Sequence, residues 1–288
     1  MKRIYPSGPA FFPLIGISHP VYGKKGLEKR LDPWLAGSAP QGIFTEILRF
    51  LSGRERTCDI RLTLDKGLQE TAFKALAGRA GAVVVLETAT GKILAAASAP
   101  SFDPATAPGI EWDRAAGLKD RGPFVNRALG KRYPPGSTYK LVTASALLSK
   151  KGYDLAWGVD CRGRHPEYGI REHNHKAHGW MSLKNAVALS CNVFFAEAGV
   201  RLGPDLLTMS GWYGFNRRPD IIGIDREDRD PRSLSLVLAS RAFAGRSDIN
   251  RGRQWRPVDF KHNPKLVAQG AVGQNVVEAT PLQMAMVG

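Results

Sequence analysis

The alternation of apolar and polar residues predicts a mixture of short strands and helices along the chain. Residues 58–65 alternate as a strand does, and residues 66–76 place apolar side chains at helical spacing. Residues 81–98 contain two apolar segments joined by Thr88-Ala89-Thr90-Gly91, which predicts a β-hairpin. The first of these segments is apolar on both faces, and this favours a central, covered strand of a sheet.

After residue 133 the pattern predicts several helices separated by irregular segments. Tyr133-Pro134-Pro135-Gly136 interrupts the preceding segment, and a helix follows over 137–149. The residues predicted to form its buried stripe are Leu141, Ala144, Leu147 and Leu148. The histidine-rich stretch 153–180 is predicted to be irregular. Further helices are predicted at 183–189, 193–202 and 281–286.

Ser137-Thr138-Tyr139-Lys140 is the strongest chemical signal. A serine at a helix start and a lysine three residues later lie on one face, one turn apart. A hydroxyl needs a nearby base to become a useful nucleophile, and lysine can be that base when burial lowers its pKa. The backbone N–H of Ser137 would be one donor to a developing oxyanion. The alternative is a capping serine followed by a surface lysine.

Ser190-Cys191-Asn192 is a second signal, placed between two predicted helices. Ser190 could relay a proton between Lys140 and a leaving amine, and Asn192 could hold a substrate amide. The alternative is a pair of polar side chains that make capping hydrogen bonds at helix ends.

Together these motifs match two parts of the pattern Ser-x-x-Lys, Ser-x-Asn, Lys-Thr-Gly, so the chain resembles the penicillin-binding proteins and β-lactamases. The segments that resemble the family's hairpin, nucleophile helix, Ser-x-Asn region and the stretch before its third motif are 81–98, 126–148, 186–202 and 270–285. Residues 3–6 and 22–28 resemble the linker of class B members. This assigns residues 1–57, which are rich in Pro, Gly and aromatics and have a helix-like piece near 42–51, to a linker or pedestal remnant. Residues 58–288 are assigned to the transpeptidase domain.

The resemblance implies an α+β fold of the β-lactamase/transpeptidase type, with a central antiparallel sheet flanked by helices. It implies a peptidoglycan DD-transpeptidase that forms an acyl-enzyme on Ser137, with Lys140 and Ser190 as the other catalytic residues and Asn192 binding substrate. The implied partners are stem peptides ending in D-Ala-D-Ala, β-lactam antibiotics and, for the full-length protein, a membrane-embedded glycan polymerase. No cofactor is expected.

The third motif departs from the family pattern. Lys-Lys-Gly occurs at 24–26 and 150–152, and neither position fits, so the C-terminal strands and the second oxyanion donor are expected to be missing. The family resemblance implies a location at the cytoplasmic membrane, facing the periplasm or cell exterior. The membrane anchor is expected to be absent from this chain, since no stretch approaches about 18 apolar residues.

The chain has 41 Lys and Arg against 26 Asp and Glu, a net charge of +15. This balance favours anionic partners, but no nucleic-acid-binding motif accompanies it, so no nucleic-acid partner is expected. Cysteine and histidine side chains that could bind a metal are concentrated in the irregular region and next to Asn192. They are Cys161, His165, His173, His175, His178 and Cys191. His178 and Cys191, completed by Cys161 or His173, could form a zinc site; the alternative is a polar insertion loop beside a buried cysteine.

Three other functions stay open at this stage. A serine β-lactamase or DD-carboxypeptidase would share the nucleophile. A non-catalytic sensor module would be acylated by a β-lactam once and then stop. A basic binder of anionic polymers would depend steeply on salt and would be indifferent to Ser137→Ala.

Overall fold

The computed structural model describes residues 3–38, 59–106, 110–118, 121–215, 223–225, 233–237 and 263–288. The α-helices in this part of the chain are α1 (Phe12–Ile15), α2 (Gly26–Arg30), α3 (Asp32–Leu35), α4 (Lys66–Ala75), α5 (Ile110–Gly117), α6 (Lys140–Ser149), α7 (Leu183–Ala188), α8 (Asn192–Leu202), α9 (Pro204–Trp212), α10 (Pro264–Ala271) and α11 (Pro281–Val287). The strands are β1 (Ser18–His19), β2 (Gly23–Lys24), β3 (Asp59–Leu62), β4 (Gly81–Leu86), β5 (Ile93–Ala99), β6 (Gly158–Cys161), β7 (Gly179–Ser182), β8 (Gly223–Asp225) and β9 (Ser233–Val237). None of the described helices is both long and apolar enough to cross a bilayer.

The chain forms two compact units. The first comprises Met1–Lys131 with Asp220–Arg241, and the second comprises Arg132–Pro219 with Ala242–Gly288. The mixture of helices with small sheets confirms the expected α+β class. The expected boundary between residues 57 and 58 stays a prediction, and the helix expected near 42–51 lies outside the described residues.

The first unit contains the predicted hairpin, in which β4 and β5 pair antiparallel. Strand β5 is buried along almost its whole length, whereas β4 is only half-buried, so the expectation of full cover for β4 was wrong within the described residues. Helix α4 packs on β5 and places the fully buried Gln69 between two backbone segments. The Gln69 amide donates to Ala10 O at 2.7 Å and accepts from Ala96 N at 2.7 Å. Gln69 therefore ties the N-terminal segment to the hairpin.

The second unit has a helical core built around α8. Phe194 and Phe195 are fully buried there, with α6, α9 and α10 packed against the helix. Strands β6 and β7 form an antiparallel hairpin, so the irregular structure predicted for 153–180 is wrong at these two segments. Each strand has four residues and starts at a glycine, so their apolar alternation is too short to stand out.

The predicted stripe of α6 was half wrong. Leu141 and Leu148 are 46% and 59% exposed, while Ala144 and Leu147 are buried as expected. The inward face instead adds Val142 and the residues at helical spacing from it, since the helix packs against neighbours on several sides. The α-helix also begins later than predicted, at Lys140, because Gly136–Tyr139 form a 3-10 turn.

Candidate active site

Ser137 lies in the 3-10 turn that leads into α6, and its side chain is exposed. The turn starts at Gly136, whose φ of +57° is a conformation that side-chain-bearing residues rarely adopt. Gly136 N donates to Gly273 O at 2.9 Å. A Cβ on Gly273 would come within 2.1 Å of Gly136 O, so glycine is required there for the two segments to approach. The exposed serine therefore follows a backbone segment that is held in place by its contact with Gly273.

Lys140 is buried one helical turn after Ser137, with only 4% of the residue exposed. Its Nζ donates three hydrogen bonds: to Ser190 O at 2.5 Å, to Ser190 Oγ at 3.0 Å and to Asn192 Oδ1 at 2.6 Å. The ring of Phe195 lies 5.6 Å from the same nitrogen. The structure therefore brings Lys140 together with Ser190 and Asn192, which lie 50 and 52 residues after it in sequence.

Burial makes the charged form of Lys140 less favourable than it is in water. Burial lowers the pKa of Lys140 to about 8, and the nearby Glu172 and Cys191 act in the opposite direction. With a pKa of about 8, roughly a tenth of the lysine is neutral at pH 7 and can act as a proton acceptor. When neutral, the amine has two N–H donors and one lone pair, so one of the three present hydrogen bonds must be given up.

Ser190 owes its position to the way α7 ends. Its φ is +53°, and it occupies the left-handed position of a Schellman motif. Ser190 N bonds to Val187 O at 3.2 Å, and Cys191 N bonds to Ala186 O at 2.9 Å. Glycine is the usual residue at this position. A serine there accepts backbone strain while directing both its carbonyl and its hydroxyl to Lys140.

Asn192 starts α8, and its amide group is fixed from two sides. The Oδ1 atom accepts from Lys140, and Nδ2 donates to Arg171 O at 2.8 Å. An amide nitrogen has two hydrogens, so the bond to Arg171 O leaves one N–H available as a donor. The role of Arg171 had no sequence signal, because it acts through its backbone oxygen.

A second polar cluster lies beside Asn192, with three of its side chains buried and His178 half-buried. Cys161, Glu172, His178 and Cys191 place one potential metal ligand each within 4.8 Å of one another. Three of these are residues that the sequence singled out. Of the two alternatives expected to complete the cluster, Cys161 is present and His173 is not, and Glu172 is a fourth member that the sequence did not indicate. An isolated glutamate in a loop offers no spacing pattern, so only the three-dimensional arrangement identifies it.

Glu172 holds this second cluster together. Its Oε1 atom accepts from Val193 N at 2.7 Å and from the Cys191 thiol at 3.2 Å. Burial by itself raises the pKa of Glu172. The backbone N–H groups of Val193 and Asn192, the Cys191 thiol and His178 outweigh it and lower the pKa. The Cys191 thiol has a raised pKa, first because it is buried and also because Glu172 lies next to it.

An exposed serine one turn before a buried lysine, with a Ser-x-Asn loop in contact with that lysine, is the arrangement typical of serine acyl-transfer sites. The sequence model of the "Penicillin binding protein transpeptidase domain" matches residues 81–287. The chain belongs to this family.

Named relatives agree with this placement. The chain is 30% identical to the peptidoglycan D,D-transpeptidase MrdA of Acinetobacter baumannii, over 99% of the chain and 45% of that protein. It is 32% identical to the peptidoglycan D,D-transpeptidase PbpA of Mycolicibacterium smegmatis, over 86% of the chain and 54% of that protein. The chain therefore spans about half the length of these relatives.

Solved structures confirm the transpeptidase-like fold. The D,D-transpeptidase domain of a peptidoglycan glycosyltransferase from Eggerthella lenta has a TM-score of 0.74 at 29% identity, covering 99% of this chain and 62% of that chain. Penicillin-binding protein A from M. tuberculosis, as its penicillin G acyl-enzyme, has a TM-score of 0.73 at 26% identity. That comparison covers 98% of this chain and 63% of the other.

Proposed function

We propose that this protein is a peptidoglycan DD-transpeptidase that cross-links stem peptides through an acyl-enzyme on Ser137. The observation that carries the proposal is the buried Lys140, whose nitrogen contacts both Ser190 and Asn192 one turn after the exposed serine. Family membership and the names of the relatives support the same reaction.

In the proposed acylation step, Lys140 first accepts a proton and later gives one up. Neutral Lys140 takes the proton of Ser137, whose oxygen attacks the carbonyl of the penultimate D-Ala. The Ser137 backbone N–H stabilises the resulting oxyanion. Protonated Lys140 then returns a proton, through the Ser190 hydroxyl 3.0 Å away, to the leaving nitrogen. Free D-Ala departs, and Ser137 holds the acyl group as an ester.

The second half-reaction reverses the direction of proton flow. The amine of a neighbouring stem peptide attacks the ester, and its proton passes through Ser190 to Lys140. The bond between the acyl carbon and Ser137 Oγ then breaks, and Lys140 returns a proton to Oγ, which restores the free serine and neutral lysine. The remaining Asn192 N–H binds the amide carbonyl of the donor peptide during both steps. β-Lactams acylate the same serine, and their acyl-enzymes persist.

The wider setting is also proposed. The protein would act at the cytoplasmic membrane, facing the periplasm or cell exterior, alongside a membrane-embedded glycan polymerase, in cell-wall growth that supports cell shape or division. Residues 1–57 would belong to the linker and pedestal, and 58–288 to the transpeptidase domain. The large net positive charge suits work near anionic membrane surfaces and polymers.

The test is release of D-Ala from a D-Ala-D-Ala stem peptide, with and without an added acceptor amine, in wild type and in Ser137→Ala. A transpeptidase forms an amide product that depends on the amine and on Ser137. Amine-independent release would instead indicate a carboxypeptidase. Turnover of penicillin would indicate a β-lactamase, and a single acylation without peptide release would indicate a sensor module.

We further propose that Cys161, Glu172, His178 and Cys191 bind a zinc ion with a structural role. Two sulfurs, one imidazole nitrogen and one carboxylate oxygen are a donor set that suits tetrahedral zinc. All four side chains belong to β6, β7 with its preceding loop, and the start of α8, so one ion would join these segments. Without an ion, the same groups form a closed set of hydrogen bonds.

Metal analysis of purified protein separates these two states. One zinc per chain is expected in wild type, with loss in Cys191→Ser and retention in Cys58→Ser, a cysteine outside the proposed cluster. A chelator should lower the melting temperature of wild type and leave that of Cys191→Ser unchanged. Protein that stays free of metal after incubation with zinc would refute the proposed site.

A further inference from the structure

His165 lies outside both clusters, yet every polar atom of its ring is engaged. Its Nδ1 accepts from the backbone N–H groups of Glu167 at 3.2 Å and Tyr168 at 3.3 Å. Its Nε2 lies 3.1 Å from Glu197 Oε2. Because Nδ1 accepts two hydrogen bonds, the proton of the neutral ring must be on Nε2, which therefore donates to Glu197. The ring also stacks on Tyr168, with centroids 4.1 Å apart.

These contacts fix a narrow loop that leads to the active site. His165 N bonds to Ile170 O at 2.8 Å, and Arg164 forms a bridge with Arg171. We refer to residues 164–171 as the His165 loop. The tip of the loop is capped by Nδ1, in the same way that an Asn or Asp side chain caps a turn. The base of the loop contributes Arg171 O, the acceptor for Asn192 Nδ2.

The His165 loop therefore touches α8 at two levels. Arg171 O contacts Asn192 in the first turn of the helix, and His165 contacts Glu197 five residues later. The base of the loop is held at the start of α8, where Arg171 O meets Asn192 and the adjacent Glu172 accepts from Val193 N. The contact between His165 and Glu197 adds a second point on the same helix, which restricts rotation of the loop about its base. The orientation of the Asn192 amide sets both the Oδ1 acceptor for Lys140 and the remaining N–H for substrate.

We infer that His165 is a positioning residue for acylation, acting with Glu197 to hold the Asn192 amide in its productive orientation. This inference rests on the proposed function of Ser137 and Lys140. In this inference the important contact is the one between His165 and Glu197 on α8. The hydrogen bonds of Nδ1 within the turn would by themselves stabilise only the loop. Small misplacements of a substrate-binding group cost rate more than they cost folding.

Two substitutions each preserve one half of the ring's contacts. His165→Asn keeps an acceptor for the turn N–H groups and removes the donor to Glu197. His165→Gln keeps a donor at the position of Nε2 and removes the turn cap. We expect His165→Asn to slow acylation by penicillin about ten-fold. The maximal acylation rate should fall, and the drug concentration that gives half of that rate should change less. His165→Gln should recover most of that rate. Glu167→Gln, an exposed carboxylate on the same turn, serves as the control.

Hydrogen–deuterium exchange gives a readout independent of activity. Amides at the start of α8, residues 192–195, should exchange faster in His165→Asn than in wild type, and at the wild-type rate in Glu167→Gln. Equal acylation rates in wild type and His165→Asn, or a His165→Gln variant as slow as His165→Asn, would overturn the inference and leave the proposed function standing. A wild type that is never acylated would refute the proposed function, and exchange at 192–195 would then decide the inference alone.

Discussion

Two polar clusters meet at the first turn of α8, and they differ in which charge is held and in access to solvent. On one side, the Lys140 cation is surrounded by oxygen acceptors from Ser190 and Asn192. On the other, the Glu172 carboxylate accepts from an N–H and a thiol, among side chains that are buried or half-buried. Ser190 and Asn192 contact Lys140 in the first cluster, and Cys191 between them contacts Glu172 in the second. One tripeptide therefore contributes to a partly exposed cluster around Lys140 and to a more buried cluster around Glu172.

The difference shows how part of the lysine can be kept in its neutral, proton-accepting form while the loop that contacts it stays in place. Burial lowers the pKa of Lys140 to about 8 by penalising its charge. The loop that contacts it is held by the second cluster, so it does not depend on the lysine charge. Substitutions in the first cluster should then affect rate, and substitutions in the second should affect stability.

The largest expected effect is in the first cluster. Lys140→Met keeps the length of the buried stem and removes the amine, so acylation by penicillin should fall by about a thousand-fold or more while the protein still folds. Stopped-flow or quenched acylation assays give the rate, and circular dichroism confirms the fold. A fall of less than ten-fold in a folded variant would show that another group accepts the serine proton.

A further effect on rate is its dependence on pH. Only neutral Lys140 accepts a proton, so acylation should rise about ten-fold per pH unit below about 8 and level off above it. The sign follows from a lowered lysine pKa, which increases the neutral fraction at a given pH. A rate measured between pH 6 and 9 that does not change would contradict the role of Lys140 as base.

Substitution in the second cluster should act on stability. Glu172→Gln removes a buried charge that accepts an N–H and a thiol hydrogen bond, so unfolding free energy should fall by about 2–3 kcal/mol. Because the folded pKa is lowered, this difference should be present at neutral pH and shrink as acid protonates the carboxyl. Denaturant melts at pH 7 and in acid measure it. A loss of rate as large as in Lys140→Met, without loss of stability, would remove the distinction between the clusters.

The smallest expected effect is a difference in stability caused by the left-handed backbone conformation of Ser190. Ser190→Gly and Ser190→Ala both remove the hydroxyl that contacts Lys140, but only glycine relieves the left-handed backbone. Glycine should therefore be more stable than alanine by about 1 kcal/mol, while both variants lose acylation rate. Equal stability of the two variants in urea melts would show that the Schellman turn stores no strain.

Much of the fold could be predicted because its signals are local. The hairpin at 81–98 is marked by its apolar run and turn, and the helices after Gly136 and Ser190 by apolar spacing and breakers. The strands at Gly158 and Gly179 were missed because each is four residues long. The stripe on α6 was misplaced because Leu141 and Leu148 are as apolar as the residues that are buried, and only tertiary packing distinguishes them.

The candidate site was predictable where residue type determines its chemistry. Ser137, Lys140, Ser190 and Asn192 were identified by their motifs, and the structure brings the last three into direct contact. Glu172 and His165 act through long-range contacts to α8, and Arg171 acts through its carbonyl. Such contacts depend on how the loop folds back on the helix, and no spacing in the sequence encodes that geometry.

The most direct test is the intact mass of the protein after incubation with a penicillin, for wild type and for Ser137→Ala. The proposed mechanism predicts a mass increase of one drug molecule on wild type and none on the folded variant. A single adduct on both proteins would place the nucleophile elsewhere. A folded wild type without an adduct would contradict the assignment of Ser137 and Lys140 as an acyl-transfer pair.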